Sequence, residues 1–204
     1  MRVVAVVAVA LLAAGAATAS SRPDAHDRTL VHRLQAQANT FAALASQANN
    51  EDPALQKCSF MKTKDASKAF AGAIAVLPAL LVKIVGEYKP QFTKLRGVLA
   101  AMHPDSNLFA KWIVAERQNL GVLLQFDNGG KPVDLCKAGE VMLSKSSTAA
   151  DVKAVLGIDP ALVAKLFSSS QSGPQATLTR IKPQMRTFFV QAGLSEKQAT
   201  GLTS

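Results

Sequence analysis

Residues 68–83 read KAFAGAIAVLPALLVK, and this stretch decides the fold. Ala69–Val82 is a run of fourteen residues without a charge, and a lysine closes it at each end. The run is shorter than the roughly 20 residues that a membrane-spanning helix needs. A helix that is apolar on most sides is typical of the centre of a folded domain. Pro78 predicts a kink there, because proline removes one backbone hydrogen bond and clashes with the preceding turn.

Helical patterns continue on both sides of this stretch. Apolar residues recur at spacings of three and four, and no segment alternates with a period of two. The sequence therefore predicts an all-α fold, a single bundle or array of about seven helices joined by short turns. Two segments, Thr148–Asp151 and Ser195–Gln198, have the form of a capping box. Other expected helix starts are Asp27, Asp52-Pro53, Thr63 or Asp65, Lys89-Pro90, Asp105 or Ser106, Asp159-Pro160 and Pro174.

The N-terminus has the pattern of a cleaved signal peptide. Arg2 is followed by an apolar run, Val3–Leu12, and then by Ala17-Thr18-Ala19, a small-x-small site of the kind that signal peptidases cut. We therefore expect residues 1–19 to be removed and residues 20–204 to form one helical domain. The expected location is secreted, either extracellular or periplasmic.

The chain has two cysteines, Cys58 and Cys136. In an exported protein an even number of cysteines favours a disulfide, here one that clamps two distant helices. Two free buried thiols are the alternative. A metal site is not expected, because neither cysteine has a second cysteine or a histidine at ligand spacing.

The net charge is +9, and the basic excess is uneven. Between Pro53 and Ala100 the acidic residues are Asp65 and Glu87 alone. Outside the cytosol, a basic field favours anionic lipid, acidic polysaccharide or an acidic protein, although it also serves solubility. Nucleic acid is not an expected partner, because the basic residues are not interleaved with aromatic ones. The basic residues of this part are Lys57, Lys62, Lys64, Lys68, Lys83, Lys89, Lys94 and Arg96.

The sequence offers little for catalysis. Its three histidines, His26, His32 and His103, lie near no nucleophile motif, and a solvated helix start explains His26 and His32 without a metal. Glu116 follows Trp112 by four residues, so it could share a groove with Trp112 and have a raised pKa. A boundary carboxylate paired with Lys111 or Arg117 is the simpler interpretation. We expect no enzyme, no catalytic residue, no metal and no cofactor.

The leading functional hypothesis is a binding protein for an apolar or amphiphilic, lipid-like small ligand. An opening beside Pro78 would admit the ligand, and lysines would meet an acidic headgroup at its mouth. The alternative is an interaction protein whose basic face contacts an anionic membrane, a polysaccharide or an acidic protein. The predicted ligand-binding residues are Phe70, Ile74, Leu77, Pro78, Leu81, Met102 and Trp112, and the predicted anion-contacting residues are Lys57, Lys62, Lys64 and Lys68.

Overall fold

The computed structural model describes residues 22–48, 55, 57–168 and 173–204. Regular structure in these residues is helical, without a strand, which confirms the all-α prediction. The described residues form eight α-helices instead of about seven. The expected signal peptide, the helix start at Asp52-Pro53 and most of the link from Ser168 to Gly173 lie outside the described residues. The helices are α1 Ala25–Ala48, α2 Ala66–Ala100, α3 Asn107–Leu123, α4 Leu135–Leu143, α5 Ala149–Leu156, α6 Pro160–Ser168, α7 Pro174–Gln191 and α8 Glu196–Thr203, with 3-10 turns at Ser59–Met61 and Leu124–Phe126.

The described residues fall into two compact units. The first unit is formed by the described parts of Ser46–Thr93 and Val122–Ser169. The second is formed by the described parts of Ala5–Ala45, Lys94–Gly121 and Ser170–Ser204. Helices α1, α2 and α3 each contribute to both. The expectation of one helical domain stays a prediction.

The first unit has a core of aliphatic side chains and carries the disulfide. Cys58 is bonded to Cys136, with their Cα atoms 5.1 Å apart, which confirms the predicted pairing. The buried cluster at the centre takes Val76, Ala79, Val82 and Val85 from α2, so the apolar run belongs to a core helix there. Its other members are Leu55, Phe126, Leu135, Ala138, Leu156, Ile158 and Val163.

The second unit has an aromatic core. Phe109 and Trp112 of α3 meet Phe188 and Phe189 of α7, with ring centroids 5.3 Å apart for Phe109–Phe188 and 5.4 Å for Trp112–Phe189. The start of α1 is tied to the turn after α2, because the carboxylate of Asp27 accepts a hydrogen bond from Asp105 N at 2.9 Å.

Most predicted helix starts are confirmed by side-chain caps. Both capping boxes are formed, at Thr148/Asp151 and at Ser195/Gln198. Ser106 Oγ accepts a hydrogen bond from Phe109 N, so Ser106 caps α3. The expectation for Asp27 is wrong: α1 begins at Ala25, and Asp24 Oδ1 accepts the hydrogen bond from Asp27 N at 2.7 Å.

Helix α2 bends at Tyr88, where φ is −113° and ψ is 16°, directly before the predicted helix start at Lys89-Pro90. Pro78 lies inside α2 and is almost completely buried, and the non-helical residue within α2 is Tyr88, not Pro78. Among the described helices, α2 alone is long and apolar enough to span a membrane by length and composition, with a mean hydropathy of 2.1 over its most apolar 18 residues. A core helix meets the same criterion, so the expectation of no transmembrane segment stays a prediction.

Candidate functional site

The four predicted anion-contacting lysines are exposed and lie on one segment. We call residues 57–68 the lysine segment. Its backbone is ordered by local caps: Thr63 Oγ1 accepts a hydrogen bond from Asp65 N, and Asp65 Oδ1 accepts hydrogen bonds from Ser67 N and Lys68 N. Asp65 therefore caps the start of α2, and it is the acidic residue within the segment. Lys57, Lys62, Lys64 and Lys68 all have exposed side chains.

Helix α4 holds the lysine segment through one face. Cys136 forms the disulfide with Cys58, and Ser59 Oγ donates a hydrogen bond to Glu140 Oε1 at 3.0 Å. Gly139 contacts the ring of Phe60. Residues 136, 139 and 140 are spaced by three and four, so they share a face of α4. The segment is thus anchored by a covalent bond, a hydrogen bond and an aromatic contact.

Phe60 fills a slot between two glycines, and no motif in the sequence singles it out. A Cβ built on Gly72 would lie 2.5 Å from Phe60 Cδ2, and one built on Gly139 would lie 2.5 Å from Phe60 Cζ. Both glycines are inside helices, where glycine is unfavourable unless something approaches closely. In the sequence, a glycine inside a helical pattern therefore indicates that another residue packs closely there. It does not indicate which residue that is.

Phe70 is the most exposed large apolar side chain among the described residues, at 64%. It lies on the first turns of α2, two residues after Lys68. A large aromatic side chain in water is unfavourable by about 1.5–3 kcal/mol relative to burial. Its exposure close in sequence to four exposed lysines is therefore the feature of this unit that points to a partner. We call Lys57, Lys62, Lys64, Lys68 and Phe70 the lysine–Phe70 patch.

The other predicted ligand-binding residues are distributed over the two units. Ile74, Leu77 and Leu81 continue along α2 in the first unit and are half-buried, whereas Pro78 is buried. Met102 and Trp112 belong to the second unit and are 6% and 4% exposed. Trp112 is part of the aromatic core, edge-on to Phe189.

Two grooves of the described residues are shallow and lie in the second unit. The larger, of about 320 Å³, lies between α3 and the first turn of α7, and the smaller, of about 270 Å³, lies near the start of α1. Neither is lined by a predicted ligand-binding residue. The larger groove is lined by Asn107, Ala110, Lys111, Val114, Ala115, Gln118 and Thr177. The expected opening beside Pro78 stays a prediction.

The structure shows the surroundings of the titratable candidates. His26 Nε2 lies 3.0 Å from the main-chain carbonyl oxygen of His103. This contact is with a carbonyl group and not with a nucleophilic side chain. Burial raises the pKa of Glu116 from 4.5 to about 7, and the charge acting against that shift is Lys182, not Lys111 or Arg117. Within the described residues, no group of three histidine, cysteine or acidic side chains is arranged to hold a metal ion.

Comparison of this chain with protein-family models, with curated proteins and with solved structures finds no significant match.

Proposed function

We propose that this chain is an exported, non-enzymatic protein that binds anionic amphiphiles, and that the lysine–Phe70 patch binds an anionic lipid surface. The observation that carries the proposal is the 64% exposure of Phe70, two residues after a segment with four exposed lysines. The signal-peptide pattern and the disulfide support export, because disulfides persist in oxidising compartments.

The two chemical groups of the patch match the two layers of a membrane surface. Lysine ammonium groups are attracted to anionic headgroups by about 1 kcal/mol each. An aromatic ring inserted at the boundary between headgroups and acyl chains recovers the cost of its exposure in water. Asp65 offsets one of the four lysine charges, which leaves a net +3 for residues 57–70.

The anchors on α4 support a surface that is formed before binding. The disulfide, the Phe60 slot and the Ser59–Glu140 hydrogen bond hold a segment whose regular structure before α2 is a three-residue 3-10 turn. A preformed patch does not have to be ordered when it meets lipid, so less of the binding energy is lost as conformational entropy.

Vesicle sedimentation tests the proposal. The purified, oxidised protein should bind vesicles of phosphatidylcholine mixed with phosphatidylglycerol and should bind pure phosphatidylcholine far less. Binding should weaken steeply with salt, because the screening length falls from about 10 Å at 0.1 M to about 3 Å at 1 M. Equal binding to both vesicle types, or no binding to either, would contradict the proposal.

Matched variants assign the binding to the patch. Removing Lys62, Lys64 and Lys68 together should weaken binding roughly 100-fold, from about 1 kcal/mol for each lysine. The control removes the same charge elsewhere by replacing the exposed lysines Lys153, Lys165 and Lys197, and it should change binding only slightly.

The aromatic contribution has its own pair of variants. Phe70→Ala should weaken binding about tenfold or more, because the ring no longer inserts. Leu143→Ala removes another exposed apolar side chain, 38% exposed, and should have no effect. A single lipid retained by the protein in native mass spectrometry, with salt-insensitive binding, would favour a ligand cavity instead.

A further inference from the structure

The turn after α3 contains the only Asn-Gly dipeptide of the sequence, Asn128-Gly129. In such a pair the main-chain nitrogen of the glycine can attack the side-chain carbonyl carbon of the asparagine. Because glycine has no Cβ, its own side chain does not hinder this approach. Gly129 is exposed and has a φ of 77°, whereas Asn128 is buried, at 7% exposed. A reactive pair is therefore placed with its amide group enclosed.

Hydrogen bonds hold the reacting groups of this pair in the folded turn. The attacking nitrogen, Gly129 N, donates a hydrogen bond to Asp127 Oδ1 at 3.1 Å. The leaving nitrogen, Asn128 Nδ2, donates to the carbonyl oxygens of Lys131 at 2.9 Å and Leu156 at 3.3 Å. Asn128 Oδ1 would gain negative charge during the attack, and this buried atom has no hydrogen-bond partner among the described residues. A buried oxyanion without a donor is unfavourable.

We infer that Asn128 is a deamidation site that the folded turn protects, and that its modification prevents the turn from closing again as before. When the turn opens, the hydrogen bonds to Lys131 and Leu156 are broken, and the amide group is free to rotate towards Gly129 N. A local segment opens with a free energy of its own, so the reaction does not require the whole first unit to unfold.

The reaction needs only water as a co-reactant. Gly129 N forms a bond to Asn128 Cγ, and the bond from Cγ to Nδ2 breaks. The proton of Gly129 N leaves with the amide group as ammonia, and a five-membered succinimide ring remains. Water then adds to one of the two ring carbonyl carbons, and the bond from that carbon to the ring nitrogen breaks. Opening at Cγ gives aspartate, and opening at the main-chain carbonyl carbon gives isoaspartate.

Neither product restores the native turn. An aspartate at position 128 has no N–H group for the carbonyl oxygens of Lys131 and Leu156, and it places a charge in a buried site. In isoaspartate the main chain runs through the former side chain, which adds one carbon atom to the backbone of the turn. Because Asn128 ties this turn to the end of α5, either product should destabilise the first unit.

Peptide mapping by mass spectrometry tests the protection. The oxidised protein is incubated in mildly alkaline buffer, folded in one sample and unfolded by guanidinium chloride in another. Asn128 should react about tenfold or more faster when unfolded, because reaction at a closed site follows the population of its open state. Asn119, which precedes a leucine in α3, is the internal control and should react far more slowly than Asn128 in the unfolded sample. Equal rates at Asn128 in both samples, or no reaction there when unfolded, would overturn the inference.

Two variants test whether the hydrogen bond to Gly129 N contributes to the protection. Asp127→Ala removes the acceptor, so it should speed deamidation of the folded protein about fivefold or more. The other carboxylate oxygen, Asp127 Oδ2, lies 2.5 Å from Lys89 Nζ, and the Lys89 side chain is 54% exposed. Lys89→Gln removes this ion pair and keeps the bond to Gly129, so it should change the rate less than about twofold, because exposed ion pairs contribute little. Equal acceleration by both variants would contradict a protective role of that bond.

The stability of the modified protein tests the second part of the inference. Ion-exchange chromatography separates the deamidated fraction, because each product carries an additional negative charge. The denaturation midpoint of this fraction should lie below that of the wild type, as it should for Asn128→Asp, which has the structure of one product. A deamidated protein as stable as the wild type would show that the turn closes again after modification.

Discussion

The ring of Phe60 occupies the space that a side chain at Gly139 would need. A Cβ at Gly139 would lie 2.5 Å from Phe60 Cζ and 2.6 Å from Phe60 Cε1. Gly72 limits the ring equally on the other side, so the ring cannot move away from one helix without meeting the other. This pairing links the lysine segment to α4 beside the Cys58–Cys136 disulfide.

We therefore expect Gly139→Ala and Gly72→Ala to destabilise the first unit by about 1–3 kcal/mol each, the usual cost of overpacking. Gly97→Ala is the control, because Gly97 is inside α2 and a Cβ placed there would meet nothing within 4 Å. That variant should gain about 0.5–1 kcal/mol from helix propensity. The denaturant midpoints of unfolding measure the stability of all three variants. A Gly139→Ala protein as stable as the wild type would show that the ring of Phe60 has room to move.

Asn128 ties the turn after α3 to the end of α5. Its Nδ2 donates hydrogen bonds to the carbonyl oxygens of Lys131 at 2.9 Å and Leu156 at 3.3 Å. Asn128→Ala should cost about 2–3 kcal/mol, because two hydrogen bonds are lost in a site that is 7% exposed. Asn128→Asp should cost more, since a carboxylate would face two carbonyl oxygens. Urea unfolding gives both values, and equal stability of the Asp and Asn proteins would contradict the assignment of Nδ2.

Asp27 is a buried carboxylate with a structural role. Desolvation raises its pKa, the hydrogen bond from Asp105 N opposes that shift, and the charge of Asp24 adds to it. Asp27→Asn keeps an acceptor and removes the buried charge, so it should be at least as stable as the wild type at pH 7. Asp27→Ala leaves Asp105 N without its acceptor and should lose about 1–2 kcal/mol.

The pH dependence distinguishes the wild type from Asp27→Asn, which has no titrating group at this position. A raised pKa in the folded state means that the penalty of ionised Asp27 is absent at low pH and complete above the folded pKa. The stability difference between Asp27→Asn and the wild type should therefore grow from acidic to neutral pH. Thermal unfolding across this pH range measures the stability difference. A difference that shrinks as the pH rises would contradict a raised pKa for Asp27.

The capping box at Thr148 makes a local contribution to α5. Thr148 Oγ1 accepts a hydrogen bond from Asp151 N, and Asp151 Oδ2 accepts one from Thr148 N. Thr148→Ala should cost about 1 kcal/mol, whereas Thr148→Ser keeps the hydroxyl and should cost a small fraction of that. Chemical denaturation compares the two, and an equal loss in both would mean that the hydroxyl is not the cap.

Helix starts were predictable where a single polar residue stands before an apolar run. Thr148 and Ser195 act through hydrogen bonds that span three residues, so the sequence contains the whole interaction. Asp27 was misjudged because Asp24 and Asp27 are both suitable caps. Asp27 receives a hydrogen bond from Asp105, which is 78 residues away, and no local rule contains that contact.

The candidate site was predictable in part. The exposure of the lysines follows from charge, because an unpaired ammonium group is costly to bury. The exposure of Phe70 is the opposite of what its side chain favours, since phenylalanine is among the residues most often buried in folded domains. Phe60 was missed because its two glycine neighbours, Gly72 and Gly139, are 67 residues apart in the sequence.

By itself the sequence determined the helical class, most helix starts and the one disulfide. Periodicity and capping act between residues that are close in the sequence, and two cysteines allow a single pairing. Only the tertiary structure decided that Phe60 fills a glycine slot and that Phe70 faces water. Each of these depends on which helix face meets which neighbour, and the packing of distant segments decides that.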